Sequence, residues 1–229
     1  MIGAILPERV RHAEAFGDLP EASLHPTEEE AVAGAVESRR REFATVRACA
    51  RKVLAELGGP PAPILPGPRG SPQWPAGFVG SMTHCDGYRA AALARAGDVL
   101  TIGVDAEPNR PLPEGILGAI ALPREAESVQ GLLRTVPEVH WDRLLFSAKE
   151  SVYKAWFPLT GRFLEFEDVL IRLAGPRNGE APGQGQFTAE LAVAGPWPTG
   201  RAVRGRWIAG SGLICTSVVL ANGNLEGDT

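Results

Sequence analysis

The stretch TIGVDAEPNR, residues 101 to 110, ends a short apolar run in two carboxylates on either side of an alanine and then meets a proline. It reads as the end of a buried strand. Side chains alternate faces along a strand, so Asp105 and Glu107 project to one side and Ala106 to the other. Two like charges on one face repel, and something cationic must relieve them: a metal ion, an Arg or Lys from elsewhere, or solvent at the strand end.

Upstream, FVGSMTH, YRAAALAR and VLTIGVDAE read as three strands, preceded by the Pro/Gly-rich connection PPAPILPGPRGSPQWPAG, which suits neither helix nor central strand. Before that, Glu28 to Leu57 holds no proline, and Phe43, Val46, Ala50, Val53, Leu54 and Leu57 recur at helical spacing until Gly58 and Gly59. Downstream, residues 108 to 140 carry prolines and short helical fragments. HWDRLLFSAKESVYKAWF then predicts a helix that ends before Pro158. FEDVLIRLA, QFTAELAV, RAVRGRWIA and LICTSVVLA follow as strands, the last two joined by a tight GSG turn. The order of helix then strands occurs twice with no evident residue-level repeat. The expected fold is therefore α+β, with an N-terminal half over residues 1–104 and a C-terminal half over residues 105–229.

Composition is compatible with that reading. The 229 residues are 44% hydrophobic, and a net charge of -4 offers no general basic field for nucleic acid. Cys49, Cys85 and Cys215 are odd in number and widely spaced, which supports neither a disulfide framework nor a thiolate metal site. MIGAIL before Pro7 is too short for a signal-peptide core, and no run approaches the roughly 18 apolar residues of a membrane span. A cytoplasmic protein with no membrane and no nucleic-acid partner is expected.

A third acid comes from FSAKESVYKAW, where Glu150 and Lys154 are at i and i+4 with Lys149 alongside. Taken alone this is a surface ion pair, and Asp105 with Glu107 is a polar strand end. Together the three carboxylates suit a hard cation that keeps water or phosphate in its shell. Anion binding is suggested by Arg40, Arg47 and Arg51 on one stripe of the first helix, beside Arg39 and Arg41, although a solvated face explains any single one of them. Thr83 and His84 precede an Asp-Gly turn and could donate to phosphate oxygens. Acids for a divalent cation, with arginines and amines for phosphate, imply a magnesium-bound nucleotide or pyrophosphate substrate.

GVDAEP, followed some forty residues on by FSAKESVYKAWFPLTG, resembles the paired signatures of the Sfp-type, EntD-like (type II) 4'-phosphopantetheinyl transferases. RRREFATVRACARKVLAELG, PPAPILPGPRGSPQWP and GSMTHCDGY resemble further blocks of the actinobacterial members, so the likeness runs nearly end to end. The resemblance implies a pseudo-twofold monomer of two similar α/β halves, with coenzyme A and Mg2+, or Mn2+ in its place, in a cleft between them. It implies transfer of 4'-phosphopantetheine to a serine of apo acyl or peptidyl carrier proteins, of the kind that serve polyketide synthase, nonribosomal peptide synthetase and siderophore assembly. By the same resemblance Asp105, Glu107 and Glu150 hold the metal, and Asp105, Glu150 and Lys154 are catalytic, with Glu150 the acid best placed to take the serine proton and a metal-bound hydroxide the other candidate. Arg39 and Arg47 match contacts to the adenosine 3'-phosphate, where the helical spacing prefers Arg40 with Arg47. Thr83 and His84 would contact phosphate, and Lys149 and Lys154 the pyrophosphate. Two positions depart from the pattern: Pro66 stands where relatives commonly have lysine, leaving Arg69 as the nearby cation, and Ala106 where some have a larger or polar residue.

Leu112, Ile116, Leu117, Phe157 and Phe163 are candidates for docking a carrier helix, or for the core. Two other readings use the same residues: a Mg2+-dependent phosphohydrolase with water as acceptor, and a non-catalytic coenzyme A binding module. Glu150 with both lysines argues for catalysis, since binding alone requires no acid at the reacting phosphate.

Overall fold

The computed structural model describes residues 1–175, 183–195 and 202–222. The chain runs β1 (Arg11–Ala15), α1 (Pro26–Glu30), α2 (Glu37–Glu56), β2 (Phe78–Cys85), β3 (Tyr88–Arg95), β4 (Val99–Pro108), α3 (Ile116–Ile120), α4 (Pro123–Thr135), α5 (Trp141–Thr160), β5 (Val169–Leu173), β6 (Gln184–Leu191), β7 (Val203–Gly210) and β8 (Leu213–Ala221). The fold is α+β. Residues group into two compact units, the first Pro7–Ile102 with Val219–Thr229 and the second Gly103–Val218 with Met1–Leu6.

In the first unit an antiparallel sheet has the order β1-β3-β2. The central strand β3 is almost wholly buried because its side chains are small: Ala90, Ala91, Ala92 and Ala94 leave room for packing on both faces. Cys49, Ala50, Val53 and Leu54 form the apolar stripe of α2 and close over Ala13, Ala15, Ala91 and Leu93. The expected single proline-free helix is in fact two. α1 stops at Glu30 and α2 begins at Glu37, with Gly34 in the gap and an extended Val36 at its N-cap. At its other end α2 stops as the glycine pair requires, with Gly58 at φ +73.

β1 was not legible. Its sequence RHAEA has charge and alanine where strands prefer branched or aromatic residues, and only its pairing from Arg11 with Leu93 to Ala15 with Arg89 makes it a strand.

In the second unit the sheet order is β4-β8-β7-β6-β5, with α4 and α5 packed against β5 and α5 also against β7. Trp141 at the start of α5 meets Trp207 of β7 edge-on, ring centroids 5.2 Å apart. The strands from FEDVLIRLA onward are found as expected, except that Arg201, the first residue of RAVRGRWIA, lies outside the described residues. The GSG turn closes the β7–β8 hairpin with Ser211 and Gly212 at φ +52 and +75, the primed turn that matches strand twist.

α5 does not end before Pro158. It continues to Thr160, because Pro158 lies in the last turn, where Gly161 N–H donates to Phe157 O at 2.8 Å and the Thr160 hydroxyl donates to Trp156 O at 3.1 Å. Gly161, at φ +64, then ends it. All three cysteines are free, two of them buried.

Candidate active site

In the second unit, Gly103 opens the GVDAE segment. A methyl group there would overlap the Ser151 carbonyl of α5 and lie 2.7 Å from Ala155 N, so only glycine lets β4 approach the helix this closely. Two residues on, alternation turns Asp105 and Glu107 to one face while Ala106 is buried on the other. α5 presents Arg143, Glu150 and Lys154, spaced seven and four apart and so on one stripe.

Lys154 Nζ donates to Asp105 Oδ1 at 2.7 Å, and Arg143 Nη1 donates to Glu107 Oε2 at 2.9 Å. The repulsion between the two strand acids is thus relieved by one cation each, both from α5. Burial pushes the Glu107 carboxyl above its ordinary range, and the Asp105 charge adds to this against the pull of Arg143. Glu150 is also pushed up, by burial first, then by Asp105 and Glu107, with Lys154 opposing. The three acids therefore share one electrostatic neighbourhood.

Among the described residues, no group of three His, Cys, Asp or Glu side chains is gathered to hold a metal ion. The donor chemistry nevertheless fits a hard divalent cation. It consists of three carboxylates, of which Glu107 and Glu150 have their proton affinity raised, while Asp105 and Glu107 are each paired with a cation whose place a metal charge could take.

Lys149 corrects an expectation. Its ammonium is buried, 2.9 Å from Glu125 Oε2, and donates to Phe166 O at 2.7 Å and Val169 O at 2.8 Å. All three ammonium protons are taken, which leaves none for a phosphate. Burial accordingly lowers its pKa.

In the first unit, Arg39 Nη1 lies 2.6 Å from His84 Nε2 and 3.4 Å from Glu42 Oε2. A guanidinium can only donate, so His84 Nε2 accepts and its proton is on Nδ1, 3.6 Å from Glu42 Oε2. Glu42 Oε1 also holds Arg89, which pairs with Asp18 at 2.8 Å. Arg39 is thus exposed beside a half-buried His84, over an ionic base of half-buried Glu42 and Asp18 and buried Arg89.

The other expected contacts are placed differently. Thr83 is buried, and alternation along β2 puts it on the opposite face from His84, so the two side chains do not converge on one oxygen. Arg47 is buried too. Its Nε donates to Ile64 O at 2.8 Å, its guanidinium stacks over Phe43, and burial, with Arg39 and Arg51 adding, lowers its pKa to about 10. Its nearest job is to anchor the Ile64 segment. Arg40 donates to Val32 O at 3.1 Å, and Arg51 is bound to the buried Glu28. Arg69 stands exposed at the tip of a small loop in the left-handed conformation, φ +53, with Gln73 N–H bonded to Leu65 O at its base.

Of the candidate docking residues, Ile116 and Phe163 are exposed, the latter against Tyr153, while Phe157 is core.

The family model described as 4'-phosphopantetheinyl transferase N-terminal domain matches residues 27–94, and that of the 4'-phosphopantetheinyl transferase superfamily matches residues 101–194. The chain is 52% identical to the 4'-phosphopantetheinyl transferase Svp of Streptomyces mobaraensis, over 96% of this chain and 89% of that one. The chain belongs to the 4'-phosphopantetheinyl transferases. The transferase is also 47% identical to Npt of Nocardia iowensis (96% and 100% covered) and 45% identical to PptT of Mycobacterium tuberculosis (96% and 98% covered). Members move phosphopantetheine from coenzyme A to carrier proteins, and the phosphohydrolase and non-catalytic readings find no support.

Sequence reasoning missed Arg143, Glu42 and Glu125. The spacing of Arg143 from Glu150 carries a signal, since seven residues restore the same helical face. Glu42 and Glu125 meet their partners only through tertiary structure.

Proposed function

We propose that the transferase directs attack of a carrier-protein serine hydroxyl on the β-phosphate of coenzyme A, forming the phosphodiester and releasing adenosine 3',5'-bisphosphate. The observation that carries this is the grouping of Asp105, Glu107 and Glu150 with Lys154 and Arg143 on two facing elements of one unit. Asp105, Glu107 and Glu150 would hold Mg2+, or Mn2+ in its place. The metal when bound supplies charge neutralisation at the pyrophosphate. Lys154, released from Asp105, becomes available to a phosphate oxygen. Glu150, with its proton affinity raised, takes the serine proton, a role that favours a pKa nearer the working pH than that of an ordinary carboxylate.

Arg39, exposed and held by His84 Nε2, is the candidate donor for the 3'-phosphate, with Arg69 a further cation on its loop. Arg40, Arg47 and Thr83 support that region from behind. Ile116 and Phe163 offer apolar surface to a carrier helix. No helix of the described residues is long and apolar enough to cross a membrane. A cytoplasmic monomer that binds no nucleic acid completes the reading. It is tested by intact mass of a panel of apo carrier proteins incubated with coenzyme A, Mg2+ and the transferase. A gain of one phosphopantetheine, with adenosine 3',5'-bisphosphate released only when carrier is present, is expected; bisphosphate released without carrier would overturn it.

A further inference from the structure

The two units repeat one clamp that the sequence does not advertise. In the first, His25-Pro26-Thr27-Glu28 starts α1, and Glu28 is fully buried. Its Oε2 accepts from the His25 N–H at 2.9 Å, its Oε1 from the Ile64 N–H at 2.8 Å, and both from Arg51 of α2 at 2.7 and 2.9 Å. In the second, Leu122-Pro123-Arg124-Glu125 starts α4, and Glu125 is 2% exposed. Its Oε2 accepts from the Leu122 N–H at 2.7 Å and lies 2.9 Å from Lys149 Nζ of α5, while Oε1 accepts from the Ile171 N–H at 2.6 Å. Each clamp thus has a proline at the first helical position and a buried glutamate two residues later. Each ties the start of a short helix to a cation on the long helix and to the backbone N–H of an isoleucine.

The cation partner matters because of what lies beside it. Lys149 immediately precedes Glu150, and consecutive helical residues point about 100° apart. Fixing Lys149 between Glu125, Phe166 O and Val169 O fixes the roll of α5, and with it the direction in which Glu150 faces Asp105 and Glu107. In the first unit, Glu28 holds the Ile64 N–H while Arg47 holds the Ile64 carbonyl, so this clamp sets α2 and the segment leading to Arg69. We infer that Glu125 and Glu28 are paired positioning residues: Glu125 orients Glu150 through Lys149, and Glu28 orients the anion-binding face of α2 through Arg51. The inference rests on the proposed function, in which Glu150 acts at the reacting phosphate and α2 binds coenzyme A.

Single substitutions leave a buried charge without its partner and destabilise the fold on that ground alone. The test therefore removes each pair together, in Glu125→Gln/Lys149→Met and in Glu28→Gln/Arg51→Met. Tm is measured by calorimetry, and kcat and KM for coenzyme A are measured by carrier modification. Replacing a buried ion pair as a unit costs little stability, so both double variants should melt close to wild type. The first should lose about tenfold or more in kcat with KM within about threefold. The second should raise KM by about fivefold or more with kcat nearly kept. A merely structural clamp moves Tm and leaves both kinetic constants of the folded enzyme as in wild type; that result, or the same kinetic split in both variants, overturns the inference. Glu125→Asp covers a double variant that does not fold. It keeps the charge and shortens the arm, and wild-type kcat in that variant refutes the positioning role. Glu150→Gln run in parallel separates the two levels. If it retains wild-type kcat, the reading of the site fails; if it is inactive while the clamp variants are fully active, only the clamp inference fails.

Discussion

Lys154, one turn beyond Glu150 on α5, directs its ammonium to Asp105 Oδ1 of β4 at 2.7 Å. The helix pair that spacing suggests, Glu150 with Lys154, is thus replaced by a link between helix and strand, and Glu150 keeps a carboxylate whose proton affinity is raised. Asp105 is the most buried of the three acids and the one whose charge raises both others.

Asp105→Ala should therefore remove most of the activity. Loss of one preorganised electrostatic group costs on the order of 100 to 1,000-fold in kcat, and a metal-holding acid belongs at the upper end. Circular dichroism should show a folded protein. Activity within about tenfold of wild type at limiting Mg2+ would remove Asp105 from the site.

Gly103→Ala addresses how the strand reaches the helix. The added methyl group would meet the Ser151 carbonyl and Ala155 N, neither of which can rotate away, so β4 must shift from α5. Overpacking of this kind costs about 1–3 kcal/mol. A lowered Tm and a loss of activity are expected together, since the shift also draws Asp105 from Lys154. Unchanged melting would show that the two elements do not need this approach.

The arginines separate by burial. Arg39, exposed beside His84, should act on affinity: Arg39→Ala raises KM for coenzyme A by roughly 10 to 150-fold, the worth of a charged hydrogen bond of ~1.5–3 kcal/mol, and has little effect on dephospho-coenzyme A, which lacks the 3'-phosphate. Arg47→Ala removes the donor to Ile64 O and should lower Tm as well. Equal weakening of both ligands in Arg39→Ala would reassign the contact.

Local pattern made much of this legible. The GVDAE strand, the α5 stripe and the hairpins follow from alternation, helical spacing and turn glycines, and those elements lie where expected. Partner choice was not legible, because it depends on which element packs beside which. Nothing near Lys149 in sequence indicates that Glu125 and two carbonyls will enclose it, and nothing near Arg47 indicates Ile64 O. β1 was missed for the same reason: an alanine and charge pattern becomes a strand only once β3 is there to pair with it.

The acid cluster also predicts a pH response in the metal-free protein. Glu107 and Glu150 have folded pKa values above the ordinary 4.5, so between that value and the raised one the folded state holds more protons than the unfolded. Stability from these groups must then fall as pH rises across that window and level off above it. A divalent cation relieves the same repulsion. Added Mg2+ should raise Tm above the window and do so less in Glu107→Gln. A Tm that Mg2+ leaves unchanged at neutral pH would count against metal binding by these acids.

Glu150→Gln isolates the proton-accepting role from the metal-holding one. The amide keeps the size of the side chain and one acceptor oxygen while removing charge and basicity. If Glu150 takes the serine proton, coenzyme A and Mg2+ should still bind within a few fold, and kcat should fall by the ~100 to 10,000-fold typical of general-base loss. The alkaline side of the kcat profile should change little, since the removed group titrates on the acid side, where its loss flattens the rise of rate with pH. If Glu150 serves only to hold the metal, titration calorimetry would instead show Mg2+-dependent coenzyme A binding lost along with activity, and excess metal should restore part of it. A surface ion pair with Lys154 would be worth at most ~1 kcal/mol of stability and no rate at all, an outcome already disfavoured by the bond from Lys154 to Asp105. Unchanged kcat with an unchanged pH profile would exclude Glu150 as the base.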